Sequence, residues 1–439
     1  MLNNQSLTPV AANDRALDFA DFAALWGSLG VGLLVMLAGA ALLPALSMGQ
    51  AFGAIAAGTV FGALLLGAVG YLGAKTGLSS AGLIWQSLGS KLAFLPILLN
   101  ILQLIGWALF EIIIMRDGLA LVMKGQAYEL SPLVLTLAVG ALLVALLSLA
   151  MTGFVRKFIR GIGLSLMLLA LLWLTIQLVL KGNAAGWATL FDKAGDGSMS
   201  FAAGVDLVIA LPISWLPLIA DYTRFARSPA RAFTGSSLGY AIANGWCFAL
   251  GVVLSVLNGA DMMAGIALLP LGLGALMLIL IDEMDNGYSD LYSASVSGHS
   301  LAPQLPVRAL GPILAVLATL LAIIVKVDNF ADFQTKYVDF LYLIGAVFVP
   351  LFGVVLAHFS GAASNAVKPV MWGGAVAWLI GVALYEALGG FSSLHNITGF
   401  TAPELFKPIA DFGAAWGASL PSLVVAFVIA WVLGRVVRR

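Results

Sequence analysis

The sequence predicts an all-α integral membrane protein with about twelve transmembrane helices. Apolar side chains make up 61% of the 439 residues and charged ones 10%, where a soluble chain carries roughly a quarter charged. Mean hydropathy is +1.04. Apolar runs of about 20 residues, enough to cross a bilayer core as a helix, recur along the whole chain.

Taken in order, the runs fall near 22–46, 51–73, 92–115, 131–152, 157–181, 202–226, 233–257, 263–296, 307–327, 337–357, 368–388 and 416–434. Their connections are short except near 182–200 and 389–415. One domain, 22–434, is therefore expected between an N-terminal segment, 1–21, and a tail, 435–439. With the N-terminus in the cytoplasm, Lys and Arg divide roughly two to one in favour of the inner loops, and the clusters "VRKFIR" and "RFARSPARA" fall inside. Both termini are expected in the cytoplasm of an inner or plasma membrane. The N-terminus has no basic stretch leading into a short apolar core, so no cleaved signal peptide is expected.

Other chemistry finds little support. The single cysteine, Cys247, excludes a disulfide framework, and the three histidines, His299, His358 and His395, have no metal-ligand spacing. Formal net charge is zero, so nothing points to nucleic acid. There is no nucleophile elbow, Walker loop or dinucleotide fingerprint, and neither an enzyme nor a bound cofactor is expected.

Two spans are interrupted. The first, "LWGSLGVGLLVMLAGAALLP", is crowded by Gly27, Gly30, Gly32 and Gly39. The sixth, "LPISWLPLIADYTRFAR", carries Pro212 and Pro217 around Ser214 and Trp215. If spans 1–5 and 6–10 are related halves, these are corresponding positions. Paired Gly/Pro-interrupted segments are the mark of an inverted-repeat secondary transporter. Close helix packing is the simpler account of the glycines. The prolines favour a broken helix, because each removes a backbone donor and clashes with the preceding turn. Asp221 and Arg224 end span six as a helix-end pair.

Ionisable residues at bilayer depth mark function by default. In span three, Gln103, Trp107 and Glu111 recur at i, i+4 and i+8 and share one helix face. A ring beside an amide and a carboxyl suits a flat heterocycle, which stacks on the ring while polar groups read its edges. Packing of Trp107 and pairing of Glu111 with Arg116 is the alternative. In span eight, Asp282, Glu283, Asp285 and Asp290 lie within nine residues with no Lys or Arg. A solvated acidic turn is the alternative there. On a helix, Asp282, Asp285/Asn286 and Ser289/Asp290 make one polar face, and hard oxygens opposite a broken span suit an alkali cation or a proton.

At these residues the chain resembles the nucleobase:cation symporter family, most closely its cytosine permease and hydroxymethylpyrimidine transporter branch. "SWLPLIADYTRFAR" carries the likeness, supported by "QLIGWALFE", "DLYSASVS" and "FLYLIGAVFVPLFGVVLA". The resemblance implies a leucine-transporter-type fold: two inverted five-span repeats, about 22–181 and 202–357, with helices 1 and 6 broken, plus two C-terminal spans, about 368–434. It implies symport of a pyrimidine-like heterocycle with Na⁺ or H⁺ by alternating access, with a monomer sufficient. It places Trp107 under the substrate ring, Glu111 and Asp290 on its polar edges, Ser214 in the broken sixth helix and Gly32 beside the ring. Gln103 and Trp215 complete the expected substrate set. The expected cation set is Ser28 and Val31 of span one with Ile281, Met284 and Asp285 of span eight. Three departures stand out. "MDNG" occupies positions that are usually small hydroxyl residues, Val35 and His358 stand where acids are common, and "NFADFQTKYVDF" looks lengthened. The rival reading on the same fold is an amino-acid or other small polar solute transporter, which would want a glycine-rich carboxylate cradle without the Trp107–Glu111 pair.

Overall fold

A computed structural model of the protein describes residues 6–148, 164–259, 261–361 and 369–436. The "VRKFIR" cluster, Lys368, Arg438, Arg439 and residues 1–5 lie outside the described residues. The helices are α1 (Phe19–Ser28), α2 (Leu33–Ala40), α3 (Met48–Thr76), α4 (Ser80–Leu88), α5 (Phe94–Met123), α6 (Pro132–Leu146), α7 (Leu164–Ala185), α8 (Trp187–Phe191), α9 (Phe201–Ser214) and α10 (Leu216–Thr223). They continue as α11 (Pro229–Asn258), α12 (Met262–Ala267), α13 (Gly272–Leu301), α14 (Val307–Ile324), α15 (Phe330–Ser360), α16 (Trp372–Leu388), α17 (Ser392–Thr398), α18 (Lys407–Trp416) and α19 (Ser419–Val436).

Within the described residues, each predicted span overlaps one or two of these helices; residues 149–152 of span four, 157–163 of span five and 368 of span eleven lie outside the described residues. Among the described residues, seven helices are long and apolar enough to cross a membrane, or up to nine if each bent pair is one span. The polar α13 fails such a test by composition but has the length, since thirty residues at about 1.5 Å each reach some 45 Å. Span eight begins later than its apolar run. The chain turns at Leu268–Leu271 after the short α12, and α13 starts only beyond Pro270 and Leu271, whose φ is +59°.

Start signals in the sequence account for several helix boundaries. Ser47, Ser131, Ser200, Asp261 and Asn329 each cap the helix that follows, through a side-chain oxygen that accepts a first-turn N–H. Ser47 and Gln50 form a reciprocal capping box.

The helices pack in two groups joined at the site. Helices α1, α2, α3, α9, α10 and α11 form a bundle, and α5, α6, α13 and α14 pack on one another beside it. Small residues bring the bundle backbones together. A Cβ built on Gly62 of α3 would lie 2.1 Å from Pro212 Cγ, and one on Gly251 of α11 would lie 2.0 Å from the Met36 carbonyl oxygen. Gly39 likewise abuts the backbone of Phe248, so the packing role of the span-one glycines coexists with the break.

Two distant ties close the structure. Asp206 of α9 accepts the amides of Ala418 and, at 3.1 Å, Ser419, and so caps α19 from across the chain. Leu17 pairs with the strand-like end of span six: its N–H donates to Phe225 O and its carbonyl accepts from Arg227 N, both at 2.9 Å.

Candidate substrate and cation site

Span one breaks where the glycines predict. Helices α1 and α2 meet at 59°, and Gly32 sits at φ +155°, a conformation that side-chain-bearing residues rarely adopt. A Cβ there would also come within 2.9 Å of Glu283 Oε1. The freed amide of Leu33, at the start of α2, donates to Glu283 Oε1. Asn286 Nδ2 donates to the Val31 carbonyl at 3.2 Å and reaches Glu283 Oε2 at 3.4 Å. A carboxylate at a helix N-terminus meets both the orphan N–H groups and the positive end of the helix dipole.

The sixth span is interrupted more narrowly than two prolines suggest. Only Trp215 separates α9 from α10, its φ and ψ of −85° and −12° remain near helical, and Phe201–Thr223 counts as one span. Pro217 falls in the first turn of α10, where a missing N–H costs least. Side chains take up the carbonyls that are freed. Ser214 Oγ donates to Leu211 O at 2.6 Å. Gln103 Nε2 donates to Ser214 O at 3.3 Å, and Asn100 Nδ2 to Pro217 O at 3.2 Å. The Ser214 hydroxyl is thus spent on its own helix.

Helices α5 and α13 run antiparallel, with their register fixed at both ends. Asn100 Nδ2 donates to Ser297 Oγ at 3.0 Å, and the carboxyls of Glu111 and Glu283 face each other within hydrogen-bonding range. Between these ties lie Gln103 and Trp107 on α5 and Asp290 on α13. All are buried: Gln103 is 5% exposed, Trp107 5%, Glu111 3% and Asp290 1%. Trp107 Nε1, Gln103 Oε1, Glu111 Oε2 and both Asp290 carboxyl oxygens have no hydrogen-bond partner among the described residues. Aromatic rings of α15 close over Trp107 edge-on, Tyr337 at 5.8 Å and Phe340 at 5.4 Å.

The expected cation residues divide. Ser28 Oγ donates to Asp282 Oδ1 at 3.1 Å and also bonds Asp285, leaving Asp282 Oδ2 and Asp285 Oδ1 buried without partners. Met284 is buried, whereas the Ile281 side chain is 38% exposed and points away from this group. Buried hard oxygens on α13 opposite the span-one break are the donor type an alkali ion takes. Among the described residues no three His, Cys, Asp or Glu side chains converge as a metal site. Sodium would therefore rely on carbonyl and hydroxyl oxygens as well.

Several expectations resolve differently in space. Arg116 pairs with Asp117 at 2.6 Å and does not reach Glu111. The expected Asp221–Arg224 pair takes another form: among the described ion pairs none joins their side chains, and each bonds backbone instead. Asp221 Oδ1 accepts Ser80 N at 2.9 Å, Ser80 Oγ accepts Ala220 N at 3.1 Å, and Arg224 Nε donates to the Asp221 carbonyl at 3.2 Å. These bonds join α4 to the end of span six. Trp215 packs edge-on against Trp26 at 5.9 Å and bonds the Tyr240 hydroxyl. Sequence reasoning left Asn100 and Glu283 out of the site. Asn100 lies one turn before Gln103 on the same face, and Glu283 lies one turn before Asn286 and Gly287, so both spacings carried the signal.

Residues 9–368 match the family described as permease for cytosine/purines, uracil, thiamine, allantoin. The chain belongs to this permease family. It is a membrane transporter and not an enzyme. No curated protein matches the sequence. Among solved structures, the permease is similar to Mhp1, a nucleobase-cation-symport-1 family transporter solved in a closed conformation with bromovinylhydantoin bound. The TM-score is 0.78 at 17% identity over 100% of this chain and 96% of that one. It is also similar to a manganese transporter of Eremococcus coleocola (0.62 at 15%, 99% of each chain). A Na⁺-coupled sialic acid symporter in a substrate-bound outward-open state scores 0.59 at 14%, over 95% of this chain and 90% of that one. Identities this low establish the fold alone, and that fold is the leucine-transporter type expected.

Proposed function

We propose that the permease imports a pyrimidine-like heterocycle, of the cytosine or hydroxymethylpyrimidine kind, together with Na⁺ or H⁺ by alternating access. One observation carries this reading. The Trp107 indole is buried at the join of the two helix groups, and beside it Gln103, Glu111 and Asp290 turn unpartnered polar atoms to the same interior. Satisfied native interiors do not leave such groups without a ligand or water. A flat ring stacked on Trp107 would take these atoms on its edges. Gly32 and Trp215 would border the ring, and Ser214 would shape the floor through its backbone. The coupling ion would sit at Ser28, Val31 and Asp285, with Ile281 and Met284 contributing backbone only.

The bundle containing the bent first span would rock against α5, α6, α13 and α14, the two inverted repeats supplying matching halves. Both termini would lie in the cytoplasm, where Arg15, Arg224, Arg227 and Arg231 cluster. Uptake of a radiolabelled heterocycle by cells expressing Trp107→Ala, with membrane abundance measured in parallel, tests the reading. Loss of uptake at normal abundance is expected, and unchanged uptake would sink the assignment.

A further inference from the structure

The chain turns a corner at the start of its last span. The segment Glu404–Trp416, which includes α18, meets α19 at 110°. Helix α19 has 18 residues and so reaches about 27 Å, close to the thickness of a bilayer core. Its exposed residues Leu420, Val424, Val428 and Val432 recur every fourth position as a stripe for acyl chains. At its far end Arg435 lies over the Trp431 ring. A segment set at 110° to a crossing helix runs nearly along the membrane plane. With 10 residues, α18 covers only about 15 Å, too short to cross. Its sides are sorted by chemistry. Gly413 abuts the Leu388 carbonyl oxygen of α16, where a Cβ would lie 2.0 Å away. Phe412 and Trp416 stack at 6.2 Å and are 51% and 69% exposed. Lys407 and Asp411 pair at 2.8 Å, roughly 140° around the helix from the two rings. The corner itself is held from span six. Buried Asp206 of α9 accepts the amides of Ala418 and Ser419. Gly417 sits at φ +79°, and a Cβ there would come within 2.7 Å of Asp206 Oδ2, so the corner fits the carboxyl without slack.

We propose that α18 is a bilayer-surface helix, seated in the lipid interface by Phe412 and Trp416, and that Asp206 carries this seating to the first half of span six. Amphipathic helices of this kind bury their apolar side about 5–10 Å into the headgroup boundary. Aromatic rings concentrate at that depth, where an apolar body leaves water and a polar edge keeps it. The four-residue interval of the α19 stripe continues in sequence through Trp416 and Phe412, so the lipid that covers α19 is the occupant the rings meet. Lys407 and Asp411 cancel each other's charge, and the partner is therefore the apolar side of the interface and not an anionic headgroup. Asp206 is a positioning residue. It contacts the corner, and its own helix, α9, ends at Ser214 beside Trp215. Movement of span six must then tilt α18 in the interface or break the cap. The inference is independent of which solute is carried.

The test uses the full-length protein in phosphatidylcholine nanodiscs, with spin labels on single introduced cysteines; the native Cys247 is buried. Collisions with oxygen, which partitions into lipid, are compared with those of a nickel chelate, which stays in water. A label at Phe412→Cys should lie about 5–10 Å below the headgroups and one at Ala414→Cys above them. Adding phosphatidylglycerol should change neither depth. A 412 label as open to nickel as the 414 label overturns the proposal. So does a 412 label shielded from both reagents, the sign that a second copy or another protein covers this face, or one that reaches lipid only with phosphatidylglycerol present. A label at Phe201→Cys, in the first turn of α9, reports on span six. Phe412→Asp combined with Trp416→Asp should lift α18 and shift the depth of the 201 label, and Asp206→Asn should remove that response. If Asp206→Asn does not fold, Gly417→Ala breaks the same contact from the corner. A 201 label that ignores the lift, or that follows it equally without the Asp206 contact, overturns the coupling.

Discussion

Glu283, in the middle of α13, accepts the backbone amide of Leu33 at the start of α2. The contact joins residues 250 positions apart and fastens the broken first span to the span-eight helix. Truncation and neutralisation should therefore behave differently. Glu283→Ala orphans the Leu33 amide in a buried site, a cost of about 1–3 kcal/mol. Glu283→Gln keeps an acceptor oxygen and relieves the crowding against Glu111. In detergent melts the alanine variant should unfold several degrees below wild type and the glutamine variant near or above it. The reverse order would show that the cap contributes nothing.

Ser28 at the end of α1 bonds Asp285 of α13, beside the span-one break. If the coupling ion sits here, Asp285→Ala should change the dependence of uptake on Na⁺ or on external pH, while Trp107→Ala removes uptake without such a change in any residual activity. Cation titrations of transport in vesicles measure this. An identical ion dependence in Asp285→Ala would remove the residue from coupling.

Gly62 and Pro212 pack with no room for a β-carbon between them. Gly62→Val must push α3 away from the sixth span or strain the proline ring. Overpacking of this kind costs about 1–3 kcal/mol, so lower yield and a lower melting temperature are expected. Gly49, where an added Cβ meets nothing within 4 Å, is the control, and Gly49→Ala should leave both unchanged.

Asp18 closes the arginine-rich end of the bundle, accepting from Phe19 N at 2.6 Å and from Arg231 Nη1 at 2.7 Å. The Phe19 amide first, and then Arg231, hold its carboxyl below the ordinary value of 3.8. A lowered folded value means that its stabilisation is complete above 3.8 and is lost as pH falls through the lower folded value. The difference in melting temperature between wild type and Asp18→Asn should be small, constant from neutral pH to about pH 5, and should vanish at stronger acidity. A difference that grows on acidification would contradict the ion pair.

The sequence by itself determined the fold class and the main positions of interest. The recurring apolar runs give a stack of membrane-length helices because a bilayer leaves the backbone few ways to satisfy its own hydrogen bonds, and among the described residues seven to nine of them are long and apolar enough to cross. The glycines of span one forecast its break because Gly32 needs a φ that other residues avoid. The face Gln103, Trp107 and Glu111 was legible because a helix repeats every 3.6 residues. What the tertiary structure decided is how those faces meet. No local pattern reveals that Ser214 spends its hydroxyl on Leu211, that Gln103 props the Ser214 carbonyl, or that the sixth span is interrupted at one residue only. Nor does any local pattern tell Glu283, which caps α2, from Asp290, whose oxygens stay free. Both are acids on one helix, and their roles diverge because packing brings Leu33, 250 positions away, to Glu283 and brings no such amide to Asp290.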